Sequence, residues 1–223
     1  MEPKEATTLR QFLVEAFGRL DAPNASVERT SLFIQISWML MLPFIVAPTG
    51  WAHVTRAGNS HAPDVAWTLV GLWFSLAALC VLAGPLARLS PGPTGVRISL
   101  AMMLVGVLGT NQVSMMTEGT LASWGALYVA ATIASYRVFL DYRTGLWATV
   151  LGTLLLLVGV VVELGGWIPL APLLEQPPVM PRYDVPGMAL GAWLIGSAAL
   201  WLMFGAVNYG MNQSHKLHRY ITW

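Results

Sequence analysis

The residues of this chain best suited to specific chemistry are uncharged and lie within apolar runs. Asn111 and Gln112 stand side by side in one run, with Ser114 close behind. In the next run Trp124, Tyr128, Thr132 and Ser135 follow steps of four, four and three, which puts them on one face of a helix. A carboxamide in hydrocarbon needs a partner, and an interhelical hydrogen bond there is worth ~1–2 kcal/mol in model peptides. Two uses fit this polarity. Either Asn111, Gln112, Trp124, Tyr128 and Thr132 line a pocket for a small or lipid-like ligand, or they tie helices together.

Charged chemistry is missing where it would be needed. The central thirds of the apolar runs hold no ionisable residue; Glu163 sits toward one end of its run, and Glu118 and Asp141 fall at loops. Proton pumps and cation-coupled carriers place carboxylates near the bilayer midplane, so those classes are disfavoured. The only lysines are Lys4 and Lys216, neither placed to carry a retinal Schiff base. His53, His61, His215 and His218 all lie outside the runs, which excludes axial haem ligation. His215 and His218 share a helix face, but no acidic or sulfur ligand stands near them. Cys80 is the one cysteine, so neither a disulfide nor a thiolate cluster forms. Gly196-Ser197 has no histidine at its depth to serve as a base for proteolysis. No catalytic residue, cofactor or metal is expected.

The elements that position the polar cluster follow from composition. Of 223 residues, 56% are hydrophobic and 10% charged, against about 45–50% and about 25% in soluble domains. With a mean hydropathy of +0.61, the main solvent is lipid. The net charge of +1 offers no field for nucleic acid. Six runs approach the ~20 apolar residues that cross ~30 Å of hydrocarbon: Ser31 to Trp51, Val65 to Arg88, Val96 to Met116, Leu121 to Leu140, Gly145 to Leu170 and Pro186 to Tyr209. The expected fold is therefore all-α, a polytopic six-transmembrane-helix bundle with an N-terminal amphipathic helix. Residues 1–30 form an interfacial segment, 31–209 the membrane domain and 210–223 a cytoplasmic linker helix.

In the first segment Leu9, Phe12, Leu13, Ala16, Phe17 and Leu20 recur at helical spacing, and Pro23 ends the pattern. No cleavable signal peptide is expected, because the first apolar stretch begins only near Ser31. Lys and Arg accumulate on the cytoplasmic side of short loops. Ten of them lie on the side of the termini, and only Arg56 and Arg182 on the other. Both termini are expected in the cytoplasm and the chain in the inner (plasma) membrane. Six prolines between Trp167 and Pro186 predict a stiff external loop carrying Glu175, Arg182 and Asp184. Gly187, Gly191, Ala192, Gly196 and Ser197 allow a close helix partner for the sixth run.

Beyond that run, Met203, Val207, Gly210, Ser214, Leu217 and Ile221 alternate steps of four and three, so the helix is expected to continue with a weak heptad seam. Six runs, an amphipathic start and a last run leading into Leu217-His218-Arg219-Tyr220-Ile221-Thr222 resemble the membrane domain of bacterial class III adenylate cyclases. The catalytic region of that family, with its metal-binding aspartates, is absent, so no catalytic residue carries over. The resemblance implies a membrane anchor and sensor that regulates a cytoplasmic cyclase output domain, with membrane lipids and a second copy of the chain as partners. Met211, Ser214, Leu217 and Ile221 would then lie on the signal-transmitting helix. The competing expectation is a small transporter or facilitator of an apolar or lipid-like solute.

Overall fold

A computed structural model describes residues 9–18, 25–120, 125–169, 171–173 and 186–221, and among them every regular element is a helix. In chain order these are α1 (Leu9–Phe17), α2 (Val27–Met41), a π-helical turn (Leu42–Val46), α3 (Ala47–Ala57), α4 (Pro63–Leu89), α5 (Pro93–Glu118), α6 (Gly125–Phe139), α7 (Tyr142–Leu164) and α8 (Pro186–Ile221). Local chemistry sets several starts. Ser26 accepts from Arg29 N (3.1 Å) at the head of α2, and Asp141 accepts from Thr144 N (2.8 Å) at the head of α7. Pro63 and Pro93 open α4 and α5, where a missing N–H costs nothing.

Five helices are long and apolar enough to cross a membrane: Val27–Ala57, Pro63–Leu89, Pro93–Glu118, Tyr142–Leu164 and Ala189–Leu217. The expected fourth span corresponds to α6, whose 15 described residues cover only ~22 Å at 1.5 Å per residue. Residues 121–124, Trp124 among them, lie outside the described residues, as do Glu175, Arg182 and Asp184 of the proline-rich loop.

The first long helix departs from its expected end. In a regular α-helix Pro43 would leave a carbonyl without its donor and strike it with the ring. The π-helical turn contains Pro43 and ends two residues before Pro48, and Ala47 N reaches back to Leu42 O. Helical structure thus resumes past both prolines and runs on to Ala57. His53, expected in a loop, is consequently on α3 and 3% exposed.

Packing divides the bundle into two groups that share α5. In the first, α4 and α5 approach closely: a Cβ on Gly106 would lie 2.5 Å from Cys80 Sγ, so only glycine fits. There α2 is pinned to α4 by Trp38, which lies over Gly84 and donates from Nε1 to Val81 O (2.9 Å). The second group buries Leu108, Met115, Ile133, Leu156 and Phe204 among α5, α6, α7 and α8. Gly196 meets Leu156 of α7 there, whereas Gly187 and Gly191 face open space. The two groups leave α2 and α6 on either side of α5.

One end of the bundle, called the basic end below, carries Arg29, Arg88, Arg97, Arg137, Arg143 and Lys216; Arg56 is the described cation at the other. At the basic end α8 extends well past the core. Its 36 residues make ~54 Å of helix against ~30 Å of hydrocarbon. The nine residues of α1 pack their last turn against this extension, with the Phe17 ring over Gly205.

Candidate functional site: a groove between α2 and α6

Because Trp38 holds α2 toward α4, the space between α2 and α6 is left unfilled. It forms a groove of about 620 Å³ floored by Met103, Val107, Thr110 and Asn111 of α5. Phe33, Ile36, Ser37 and Leu40 of α2, with Ile45 and Val46 of the π turn, make one wall. The other wall is Tyr128, Ala131, Thr132 and Ser135 of α6. At the basic end the groove is closed: the Phe33 ring lies 5.5 Å from Tyr136 and 5.9 Å from Phe139, and Arg29 Nη2 donates to Val138 O (3.1 Å). From Val138 to Tyr128 along α6 is ten residues, ~15 Å of helix.

The walls are apolar with a few polar points, the usual make-up of a small-molecule site. Three of those points are already engaged. Thr110, Thr132 and Ser135 donate to carbonyls of their own helices at 2.8 Å, which satisfies a hydroxyl proton in an apolar setting. The Asn111 carboxamide is half-buried and makes no hydrogen bond among the described residues. Arg29 has one partner, a carbonyl, and no carboxylate pairs with it among the described residues. Among the described residues the groove therefore presents one cation at its closed end and one free amide, alongside the hydroxyls of Ser37, Tyr128 and Tyr136. A mostly apolar groove of this size suits the binding of a small molecule.

Asn111, Tyr128 and Thr132 all line this groove. The structure separates Gln112 from them. Adjacent residues on a helix point ~100° apart, and Gln112 faces α7, where it is 5% exposed and packed against Gly159 and Thr120. Its Nε2 has no hydrogen-bond partner. Beside it, Thr120 donates from N (2.8 Å) and Oγ1 (2.7 Å) to the buried Glu163 carboxylate. That contact ties the start of the 120s segment to α7. A further polar contact joins α3, α4 and α5: Trp73 Nε1 donates to Ser114 Oγ (3.1 Å), which lies 3.0 Å from His53 Nε2.

No family model, curated protein or solved structure matches this chain. Its chemistry is therefore read from its own residues.

Sequence reasoning missed a second polar centre, at the basic end. Arg137, near the end of the fourth apolar run, is 2% exposed in the last turn of α6 and packs against Gly145. Its Nε donates to Asn208 Oδ1 of α8 (2.6 Å). Asn208 Nδ2 in turn donates to Ala16 O (2.9 Å) and Gly18 O (3.2 Å), while Asn212 Nδ2 donates to Glu15 O (2.8 Å) and Tyr142 Oη to Phe17 O (2.6 Å). These donors satisfy carbonyls that the end of α1 leaves without helical partners. Gln213 and Lys216 complete the contact, each donating at 2.6 Å to the Glu15 carboxylate. The four-residue spacing of Asn208 and Asn212 was the available signal.

The expected seam of α8 lies away from this contact. Met203 and Leu217 are 42% and 62% exposed, Gly210 and Ser214 are exposed, and Met211 is half-buried. The side chain of Ile221 lies outside the described residues. One face of the extension is thus occupied by α1, and the seam is open.

Proposed function

We propose that this chain is a membrane sensor and anchor module: a ligand in the groove biases the bundle, and α8 carries the change to a cytoplasmic output domain of the cyclase class. The observation that carries the reading is the continuity of α8, unbroken from Pro186 to Ile221. A helix transmits rotation or displacement along its length, whereas a loop at the membrane boundary would dissipate it. The concentration of Lys and Arg at one end supports a cytoplasmic placement for that end and both termini, in a plasma membrane. The open seam supports pairing of two copies through α8. Glycine and serine in that seam make the pairing weak, which suits an equilibrium that a small bias can shift.

The test is a fusion of the chain to a cyclase catalytic domain, with one to four alanines inserted after Ser214. Activity that rises and falls with the helical phase of the insertion supports transmission. Activity indifferent to phase reduces the module to an anchor. A second reading, a facilitator of an apolar solute, is favoured by the π turn beside Pro43 and Pro48, since interrupted helices line many transport sites. Solute flux into vesicles containing the purified chain alone would favour it over the sensor.

A further inference from the structure

Building on the groove as a ligand site, we propose the class of its ligand: a single-chain carboxylate carrying an oxygen function near the middle of the chain. The closed end supplies the head-group chemistry. Arg29 is exposed, gives one Nη2 hydrogen bond to Val138 O and has no acidic partner among the described residues. Its remaining N–H donors form a fork that matches a carboxylate. Among the described residues it is also the only cation lining the groove, so one negative charge is complemented, and a phosphate monoester carrying nearly two is not.

The walls supply the tail chemistry. Between Phe33 at the closed end and Ile45 at the π turn the lining is mostly aliphatic and aromatic, and the Thr110, Thr132 and Ser135 hydroxyl protons are turned back into their own helices. Such a surface accepts methylenes at little cost and gains from their burial.

Asn111 departs from that pattern. Its carboxamide lines the same groove, whose α6 wall runs ~15 Å from Tyr128 to the anchor of Arg29 at Val138. That distance is about half the ~30 Å hydrocarbon thickness. An unpartnered amide facing an alkyl chain is a penalty; facing a hydroxyl or carbonyl on that chain, it becomes a hydrogen bond. The site then selects for charge at one end and for oxygen at a fixed distance from it. Ordinary membrane acyl chains satisfy neither requirement, because they are esterified at the head and unsubstituted along the chain. This separates a signal from the bulk solvent of the protein.

The experiment measures binding of three radiolabelled probes to the purified full chain in detergent: stearate, a stearate hydroxylated near mid-chain, and stearyl alcohol. Wild-type protein is expected to bind stearate at least tenfold more tightly than the alcohol, and the hydroxylated acid about fivefold more tightly than stearate. Arg29→Gln should abolish the first ratio and keep the second; Asn111→Leu should do the reverse. Thr132→Trp, which fills the groove, should abolish binding of all three. Unchanged ratios in Arg29→Gln and Asn111→Leu, with binding still blocked by Thr132→Trp, would overturn the ligand class and leave the groove as the site. Binding that survives Thr132→Trp in a protein of wild-type Tm would overturn the groove reading itself. Displacement of the hydroxylated acid by phosphatidylglycerol at equal concentration would likewise overturn the ligand class.

Discussion

Asn208→Ala is the most informative single substitution, because one side chain joins three elements. It accepts from Arg137 Nε at 2.6 Å and donates to Ala16 O and Gly18 O at 2.9 and 3.2 Å. A buried hydrogen bond to a charged group contributes ~1.5–3 kcal/mol and a neutral one ~1 kcal/mol, so truncation should cost ~3.5–5 kcal/mol. That is a large share of a total of ~5–15 kcal/mol. At ~2–4 °C per kcal/mol for a chain of this size, thermal unfolding in detergent should shift by ~7–20 °C. Asn212→Ala removes the single bond to Glu15 O and should shift it by only ~2–4 °C. Asn208→Asp separates the roles of the side chain. It keeps an acceptor for Arg137 but loses the donor for the α1 carbonyls, so a spin-label distance between α1 and α8 should lengthen while the unfolding midpoint falls less than in Asn208→Ala. A double-mutant cycle with Arg137→Met should give a coupling of at least ~1.5 kcal/mol. An Asn208→Ala midpoint within ~3 °C of wild type, or purely additive effects in the cycle, would refute the network.

Gly106→Ala forces a methyl group toward Cys80 Sγ and should destabilise by ~1–3 kcal/mol, with Cys80→Ala restoring part of the loss in an unfolding assay. Glu163→Leu leaves Thr120 N and Oγ1 without their acceptor and should cost ~2–4 kcal/mol, whereas Glu163→Gln should cost less than half of that, both read from thermal midpoints. In a Cys80→Ala background, an impermeant thiol reagent applied to intact cells should label a cysteine at exposed Asn59 and spare one at exposed His215; labelling at His215 would reverse the assignment of the basic end to the cytoplasm.

The long apolar runs were legible because their signal is compositional and survives any tertiary arrangement. The polar stripe of α6 was legible for a related reason: Tyr128, Thr132 and Ser135 share a face at helical spacing, and so share a groove. Asn111 and Gln112 show where this reasoning ends. Adjacency in sequence suggested one cluster, but the helical turn sends Gln112 to α7 and leaves Asn111 to the groove. His53 was misplaced because the first apolar run was ended at Trp51, whereas the helix continues through polar residues to Ala57. Arg137 was misread for a different reason. The distribution of positive charge indicates the side of a membrane on which an arginine lies, but its burial depends on Gly145 and on Asn208, 71 residues away.

That last separation has a consequence for how the chain is made. Arg137 and the end of α1 leave the ribosome long before their common partner, since Asn208 follows Arg137 by 71 residues and Ala16 by 192. At about 5–20 residues per second, Arg137 spends roughly 4–14 s without Asn208 during synthesis. The carbonyls of Ala16 and Gly18 must rely on water or headgroups for longer still. The closing ring is large, and its loop entropy is recovered only when α8 arrives. Arrival of the last helix is therefore the step that completes the first one, and a ribosome stalled before codon 208 holds a bundle whose N-terminus has nothing to grip.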